Sequence, residues 1–239
     1  MTNDELWLRS LAQRNAISIT DIQLRKISHY VDLLLGWNKS INLISRKDVE
    51  NVWSHHILLS LAFLFKVQFG VGGRILDLGT GGGLPGIPLS IVRPDVTFVL
   101  VDSIQKKTQA VQAMLSSLEL PNATAICARA EDLNKLNDYQ NVFDAVIARA
   151  VSGLENLVKW GMPFLKKNSA PINFSRTSDP ITVSKSSALI TMKGGSAEAE
   201  IERTRRRFPD LKIRSIELVF KGSEAVQSLD KKLIIVENI

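Results

Sequence analysis

Apolar residues in the first part of the chain recur at helical spacing. Leu24, Ile27, Val31, Leu34 and Leu35 fall on one face of a helix, with Gly36 near its stop and Asp21 placed to cap its start. Asn38 to Ser45 is polar around Ile41 and Leu43 and reads as a turn. Val52, Ile57, Leu58, Leu61, Ala62 and Phe65 then mark a further helix. Residues 3–66 therefore read as helical. They place an N-terminal helical extension at 1–68, beside a second unit at 69–239.

From Arg74 onward the pattern changes. Short apolar runs near 74–79, 97–102, 124–127, 143–148, 187–193, 212–220 and 232–237 read as strands. Helical stretches near 85–92, 105–119, 154–166 and 196–206 separate them. Alternation of this kind predicts an α/β, mostly parallel, seven-stranded sheet with helices on both faces. The last two strands follow each other directly, which predicts an antiparallel pair and an antiparallel last strand. Pro85 and Pro88 fall in the first turn of a helix, where a missing N–H is tolerated. In such sheets ligands bind outside the carboxyl ends of the strands. That rule gathers Gly79–Leu84, Asp102, Ala128–Asp132 and Arg149 along one edge. The stretch 167–186 is rich in serine, asparagine and proline and reads as an unusually long loop.

The chemistry concentrates at Asp77-Leu78-Gly79-Thr80-Gly81-Gly82-Gly83-Leu84-Pro85-Gly86, an apolar strand that enters a glycine loop and then a helix. Glycines here admit dihedrals and close approaches that a Cβ forbids. The dinucleotide fingerprint G-x-G-x-x-G matches at Gly79 and Gly81 but meets Leu84 where its third glycine belongs. Asp77, two residues before Gly79, gives an acid followed by G-x-G-x-G. That is the usual form in S-adenosylmethionine (SAM) methyltransferases, whose cofactor carries an ammonium that a carboxylate can balance directly or through water. Asp102 closes the second strand and stands where a ribose-binding acid belongs. Asp102 as a simple helix cap is the competing reading.

Composition changes this picture little. The 239 residues are 45% hydrophobic and 23% charged, as expected of a globular chain with a sizeable core. No apolar run is long enough to span a membrane, and Met1 to Glu5 lacks the features of a signal peptide. The single cysteine, Cys127, sits in an apolar run that suggests a core position and a cytoplasmic location. Three histidines and one cysteine show no zinc spacing, so no metal is expected. A net charge of +6 favours an anionic partner. Lys106, Lys107, Arg203 and Arg205–Arg207 cluster accordingly, although helix surface alone explains such runs.

Five segments together resemble the RsmG (GidB) family, the bacterial 16S ribosomal RNA guanine-N7 methyltransferases. They are Trp37–Leu43, His56–Leu58, Asp77–Pro88, Asp102-Ser103 with Lys106-Lys107, and Arg129–Glu131 with Ile147–Ala150. The resemblance implies a class I SAM-dependent methyltransferase (Rossmann-like) fold with a helical N-terminal part. It implies 16S rRNA or the small ribosomal subunit as partner, and a monomer. Matched residue by residue, it implies SAM contacts at Gly79, Leu84, Ala130, Glu131 and Arg149, beside Asp77, Gly81, Gly83 and Asp102 from the motif itself. Glu131 also suits a plain helix start, and Arg149 a surface ion pair. Leu59 stands where the family usually has Asp, and His56 is retained. A lone histidine on an apolar helix is commonly a packing residue.

Guanine N7 carries a lone pair and no proton, so its methylation needs alignment rather than a general base. Arg149 and Lys193, at the ends of two strands, are the candidate positioning residues, each able to donate to guanine O6. Ala148-Arg149-Ala150-Val151 replaces the Asn/Asp-Pro-Pro-aromatic motif of exocyclic-amine methylases and supplies no cysteine nucleophile. A SAM enzyme with a small-molecule or protein substrate, a non-enzymatic RNA-binding protein and an NAD(P) oxidoreductase remain as rival readings.

Overall fold

The structure, a computed structural model, describes residues 1–167, 181–182, 187–224 and 230–238. Two helices open the chain, α1 (Asn3–Arg14) and α2 (Asp21–Asn38). Each begins with a capping box, in which Thr2 pairs with Glu5 and Thr20 with Gln23. The cap of α2 is thus Thr20 rather than Asp21, whose carboxylate instead pairs with Arg9 on α1. Gly36 lies inside α2, on an exposed face with room to spare, so the helix runs past it to Asn38. A short 3-10 turn (Arg46–Asp48) and a π-helical segment (Val52–Leu58) lead into α3 (Leu59–Lys66). The π turn carries both His55 and His56.

The strands are β1 (Val67–Gln68), β2 (Arg74–Leu78), β3 (Thr97–Asp102), β4 (Ala123–Cys127), β5 (Ala145–Arg149), β6 (Ile181–Thr182), β7 (Ala188–Gly194), β8 (Leu211–Glu217) and β9 (Lys231–Asn238). The interleaved helices are α4 (Gly86–Val92), α5 (Gln105–Ser117), α6 (Ala130–Leu133), α7 (Leu154–Gly161) and α8 (Glu198–Arg207). Seven strands form one sheet in the order β4-β3-β2-β5-β7-β9-β8. Its first five strands are parallel, and β9 inserts antiparallel between β7 and β8. The expected antiparallel last pair is present, with the last strand inside the sheet rather than at its edge. β1 and β6 pair separately, as a parallel couple. Lys167 and β6 apart, nearly all of the 167–186 stretch lies outside the described residues.

Side-chain alternation divides the core into two layers. Ile75, Phe98 and Leu100 face one way, into a cluster with Leu24, Ile27 and Leu34 of α2 and Ile87 and Leu89 of α4. Leu76, Val99 and Val101 face the other way, against Leu154, Leu157 and Val158 of α7 and Ile201 of α8. The N-terminal helices thus cover one face of the sheet and share its core, and the change near residue 68 is one of element type. Cys127 does not reach either layer. It is exposed at the end of the edge strand β4, where only one side of the strand is covered. Of the expected 154–166 helix, Leu154–Gly161 is α-helical; Met162–Phe164 tightens to a 3-10 turn around Pro163.

Candidate active site

β2 delivers Asp77 to the centre of the fold, fully buried. Its Oδ2 accepts the Thr80 hydroxyl at 2.6 Å and the Gly86 N–H at 2.9 Å, closing the glycine loop around one carboxylate. A Cβ on Gly86 would sit 2.6 Å from that same oxygen, so only glycine fits there. Burial pushes the carboxyl up to about 7, against the pull of its two hydrogen bonds. Gly79 and Gly81 adopt positive φ, at 73° and 59°. A Cβ on Gly81 would project into open space, which leaves the backbone bare toward the cleft.

The extension grips the back of this loop. The buried Tyr30 hydroxyl donates to the Gly82 carbonyl at 2.9 Å. A Cβ on Gly82 would lie 2.8 Å from Leu34 Cδ1 and 3.1 Å from Leu43 Cβ. Neither contact was visible in the residue pattern, because they join segments far apart in the chain.

Asp102 ends β3 beside the loop. One carboxylate oxygen accepts Gly81 N–H at 3.0 Å and the other accepts Ile104 N–H at 2.9 Å. It holds the turn into α5, whose N-cap is Ile104, and clamps the glycine loop.

The loop, Asp102 and the start of α6 enclose a cavity of about 480 Å³. Gly79, Gly81, Leu84, Asp102, Ala130, Glu131 and Arg149 all line it. Asp77 lies behind the loop, where its carboxylate holds the backbone instead of facing the cavity, and Gly83 turns toward Ile87. Lys193 lines a second cavity of about 450 Å³, which shares Leu43, Ile44, His56, Arg149 and Ala150 with the first.

Arg149 stands in that shared wall. Its terminal nitrogens donate to the His56 carbonyl at 3.1 Å, the Ser60 hydroxyl at 3.5 Å, the His55 carbonyl at 2.6 Å and His56 Nδ1 at 2.8 Å. It is not a surface ion pair: it fastens the end of β5 to the helical extension. The π turn at Val52–Leu58 is what presents two successive carbonyls to one guanidinium. Burial lowers Arg149 to about 10, so it stays cationic at neutral pH. Burial and the Arg149 charge lower His56 to about 4, so that imidazole stays neutral. Lys193 donates to the Ser152 carbonyl at 2.5 Å and to Glu200 at 3.2 Å, two of its three N–H groups. Among the described residues no cluster of three His, Cys, Asp or Glu is arranged to hold a metal.

Comparison with known proteins places this geometry. The family model for GidB, rRNA small subunit methyltransferase G, matches residues 23–174. The chain belongs to this family. A ribosomal RNA small subunit methyltransferase G from Bacteroides thetaiotaomicron is 40% identical over 182 residues, 76% of this chain and 80% of that protein. The same-named protein from Desulfitobacterium hafniense is 34% identical over 225 residues, 93% and 85% of the two chains. Among solved structures, M. jannaschii TYW2 in complex with AdoMet superposes with a TM-score of 0.53 at 14% identity, covering 84% of this chain and 80% of that one. That likeness extends to the fold, the class I SAM-dependent methyltransferase fold with its antiparallel strand. Within the family match fall the loop, Asp102, Glu131, Arg149 and the π turn; Lys193 lies beyond it.

Proposed function

We propose that the protein methylates guanine N7 in the 16S rRNA of the small ribosomal subunit, with SAM as methyl donor. Membership of the small-subunit methyltransferase family supports the reaction class and the substrate. The observation that carries the choice of atom is the wall between the two cavities. It offers a permanent cation, Arg149, and a neutral histidine whose Nδ1 is occupied by that cation, so neither accepts a proton there. Guanine N7 has no proton to remove, and such a wall suits it.

The first cavity fits SAM on its own terms. Its positive-φ glycines bare the backbone, Asp102 retains lone pairs for ribose hydroxyls, and its volume suits a ligand of that size. When bound, SAM supplies an electrophilic methyl group on sulfur. Asp77 keeps the glycine loop in shape from beneath. Asp102 fixes Gly81 against the cleft and accepts from the ribose. Ala130 and Glu131, in the same lining, would border the adenine, as the family resemblance implies. Arg149 acts as a positioning residue, setting the distance between cofactor and base cavities. The remaining Lys193 N–H reaches for guanine O6.

Transfer of radiolabelled methyl from SAM to small subunits lacking this modification tests the reading, with the product mapped to its atom. Label at guanine N7 and a single-turnover rate flat between about pH 6 and 9, where histidine or a tuned lysine titrates, are the expected results. Label on an exocyclic amine, or on protein, would sink it.

A further inference from the structure

The geometry points to Asp48 as the residue that selects guanine, by accepting hydrogen bonds from the N1–H and N2–H edge of the base in the second cavity. This rests on the function proposed above and names what that cavity reads. Asp48 is the one carboxylate in the described wall of a cavity that also presents Arg149, Lys193 and Lys231. A basic wall serves any nucleotide through its phosphates. A carboxylate there opposes phosphate, and its presence calls for a partner with paired donors.

Asp48 has no lysine or arginine partner among the described ion pairs; two histidines face it instead. His55 Nδ1 lies 3.1 Å from Oδ1. His56 accepts from Arg149 at Nδ1, which leaves its proton on Nε2, 3.7 Å from Oδ2. That Nε2 is buried without a hydrogen-bond partner among the described residues, on a side chain only 11% exposed. One chain of contacts thus runs from the guanidinium in the shared wall through His56 to Asp48. It aims a carboxylate into the base cavity and leaves lone pairs on both oxygens.

Adenine also carries N7 with a free lone pair. N7 geometry alone therefore cannot tell the two purines apart. Guanine offers two parallel donors, N1–H and N2–H, that match the two oxygens of a carboxylate. Adenine offers an acceptor at N1, which a carboxylate repels. In the transfer the N7–carbon bond forms as the carbon–sulfur bond breaks. The sulfonium becomes a neutral thioether and the positive charge passes to the purine, with no proton released. The ring donors become more acidic as that charge arrives, so their bonds to Asp48 tighten in the transition state.

The test uses whole enzyme and reconstituted small subunits, with either guanine or inosine at the nucleotide the wild type methylates. Inosine keeps N7, O6 and N1–H and lacks the exocyclic amine. Wild type should transfer to inosine about 10- to 100-fold more slowly than to guanine, the usual worth of a hydrogen bond to a charged group. Asp48→Asn should be slowed by a similar factor on guanine, lose nothing further on inosine, and keep its SAM affinity by calorimetry. If Asp48→Asn melts early, Asp48→Glu keeps the charge, and should show slower transfer with the inosine penalty reduced. An Asp48→Asn enzyme at wild-type rate, or one slowed yet still penalised in full by inosine, overturns the assignment alone. Wild-type transfer to an atom other than guanine N7 overturns it together with the proposed function.

Discussion

The two cavities on either side of Arg149 are built in opposite ways. The first rests on a local motif, the loop from Gly79 to Leu84 held from behind by Asp77, with Asp102, Ala130 and Glu131 beside it; of its lining only Leu43, Ile44 and His56 come from the extension. The second draws Ser45, Asp48 and His56 from the extension, Arg149 from β5, Lys193 from β7 and Lys231 from β9. A local motif fixes a backbone cradle, because strand, loop and helix impose their own geometry on a ligand. A site assembled from four distant segments depends on how the extension docks. One arginine ties the two halves together.

Breaking the local half should have the largest effect. In Gly81→Arg the side chain would enter the cavity and fill the space a cofactor needs, with added cost from positive φ. SAM binding by calorimetry should become undetectable in a protein that still folds. Unchanged affinity would remove the glycine loop from the site.

Arg149→Ala attacks the join between the halves. It removes the guanidinium donors from the His55 carbonyl and from the His56 carbonyl, which keeps the Ser60 hydroxyl and the Leu59 N–H, at about 1–3 kcal/mol for the lost charge-assisted bonds. Methyl transfer should fall roughly 100-fold or more, as expected when two reactants lose their mutual alignment. SAM affinity should fall far less, because the glycine loop and Asp102 are untouched. If affinity and transfer fall by the same factor, Arg149 belongs to the cofactor site and does not position the base.

The two buried titratable groups sharpen the contrast through pH. Asp77 rises from 3.8 to about 7 in the fold, so its protonated form is favoured there. The stability it contributes is full below pH 4 and is lost as pH climbs toward 7. His56 falls from 6.5 to about 4, so the unfolded chain binds the extra proton between those values. Its contribution runs the other way: stability is lost as pH drops from 6.5 to 4. Each change totals on the order of 3 kcal/mol across that range, and the two largely cancel. Asp77→Asn should therefore unmask stability that rises from pH 4 to 6.5, and His56→Asn stability that falls over the same range. Denaturant midpoints across that range give both slopes, and parallel slopes for the two variants would refute the assignment.

The same division governs what could be read from the chain. The parallel sheet, the glycine loop and Asp102 follow from short-range rules of strand, turn and helix. Tyr30 did not stand out, since nothing in α2 marks one tyrosine as the donor to the Gly82 carbonyl. Asp48 stands between the polar turn and the next helix, where no pattern marks it. His56 looked like a packing residue, and its burial agrees, but its Nδ1 partner is 93 positions away. Arg149 was legible by place and not by contact: the end of a strand is predictable, whereas the π turn that receives the guanidinium is not. Cys127 shows the limit of apolar runs, because an edge strand buries one side only.

The smallest expected effect falls on Asp102, which joins the glycine loop to the turn into α5. Its carboxylate accepts from Gly81 N–H and Ile104 N–H, so it shapes the site and caps a turn at once. Asp102→Ala removes both acceptors together with the proposed ribose contact, and SAM affinity should drop by about 1–3 kcal/mol. Asp102→Asn separates the roles. Its amide oxygen can keep one backbone N–H, while its NH₂ turns a donor toward the other N–H or toward the ribose. If the ribose contact dominates, the Asn variant should keep most of its thermal stability and lose most of the affinity that Ala loses. If the loop clamp dominates, affinity and melting temperature should fall together in both variants. Affinity unchanged in Asn and Ala alike, with only the melting temperature lowered, would reduce Asp102 to a helix cap and leave the first cavity without its ribose acid.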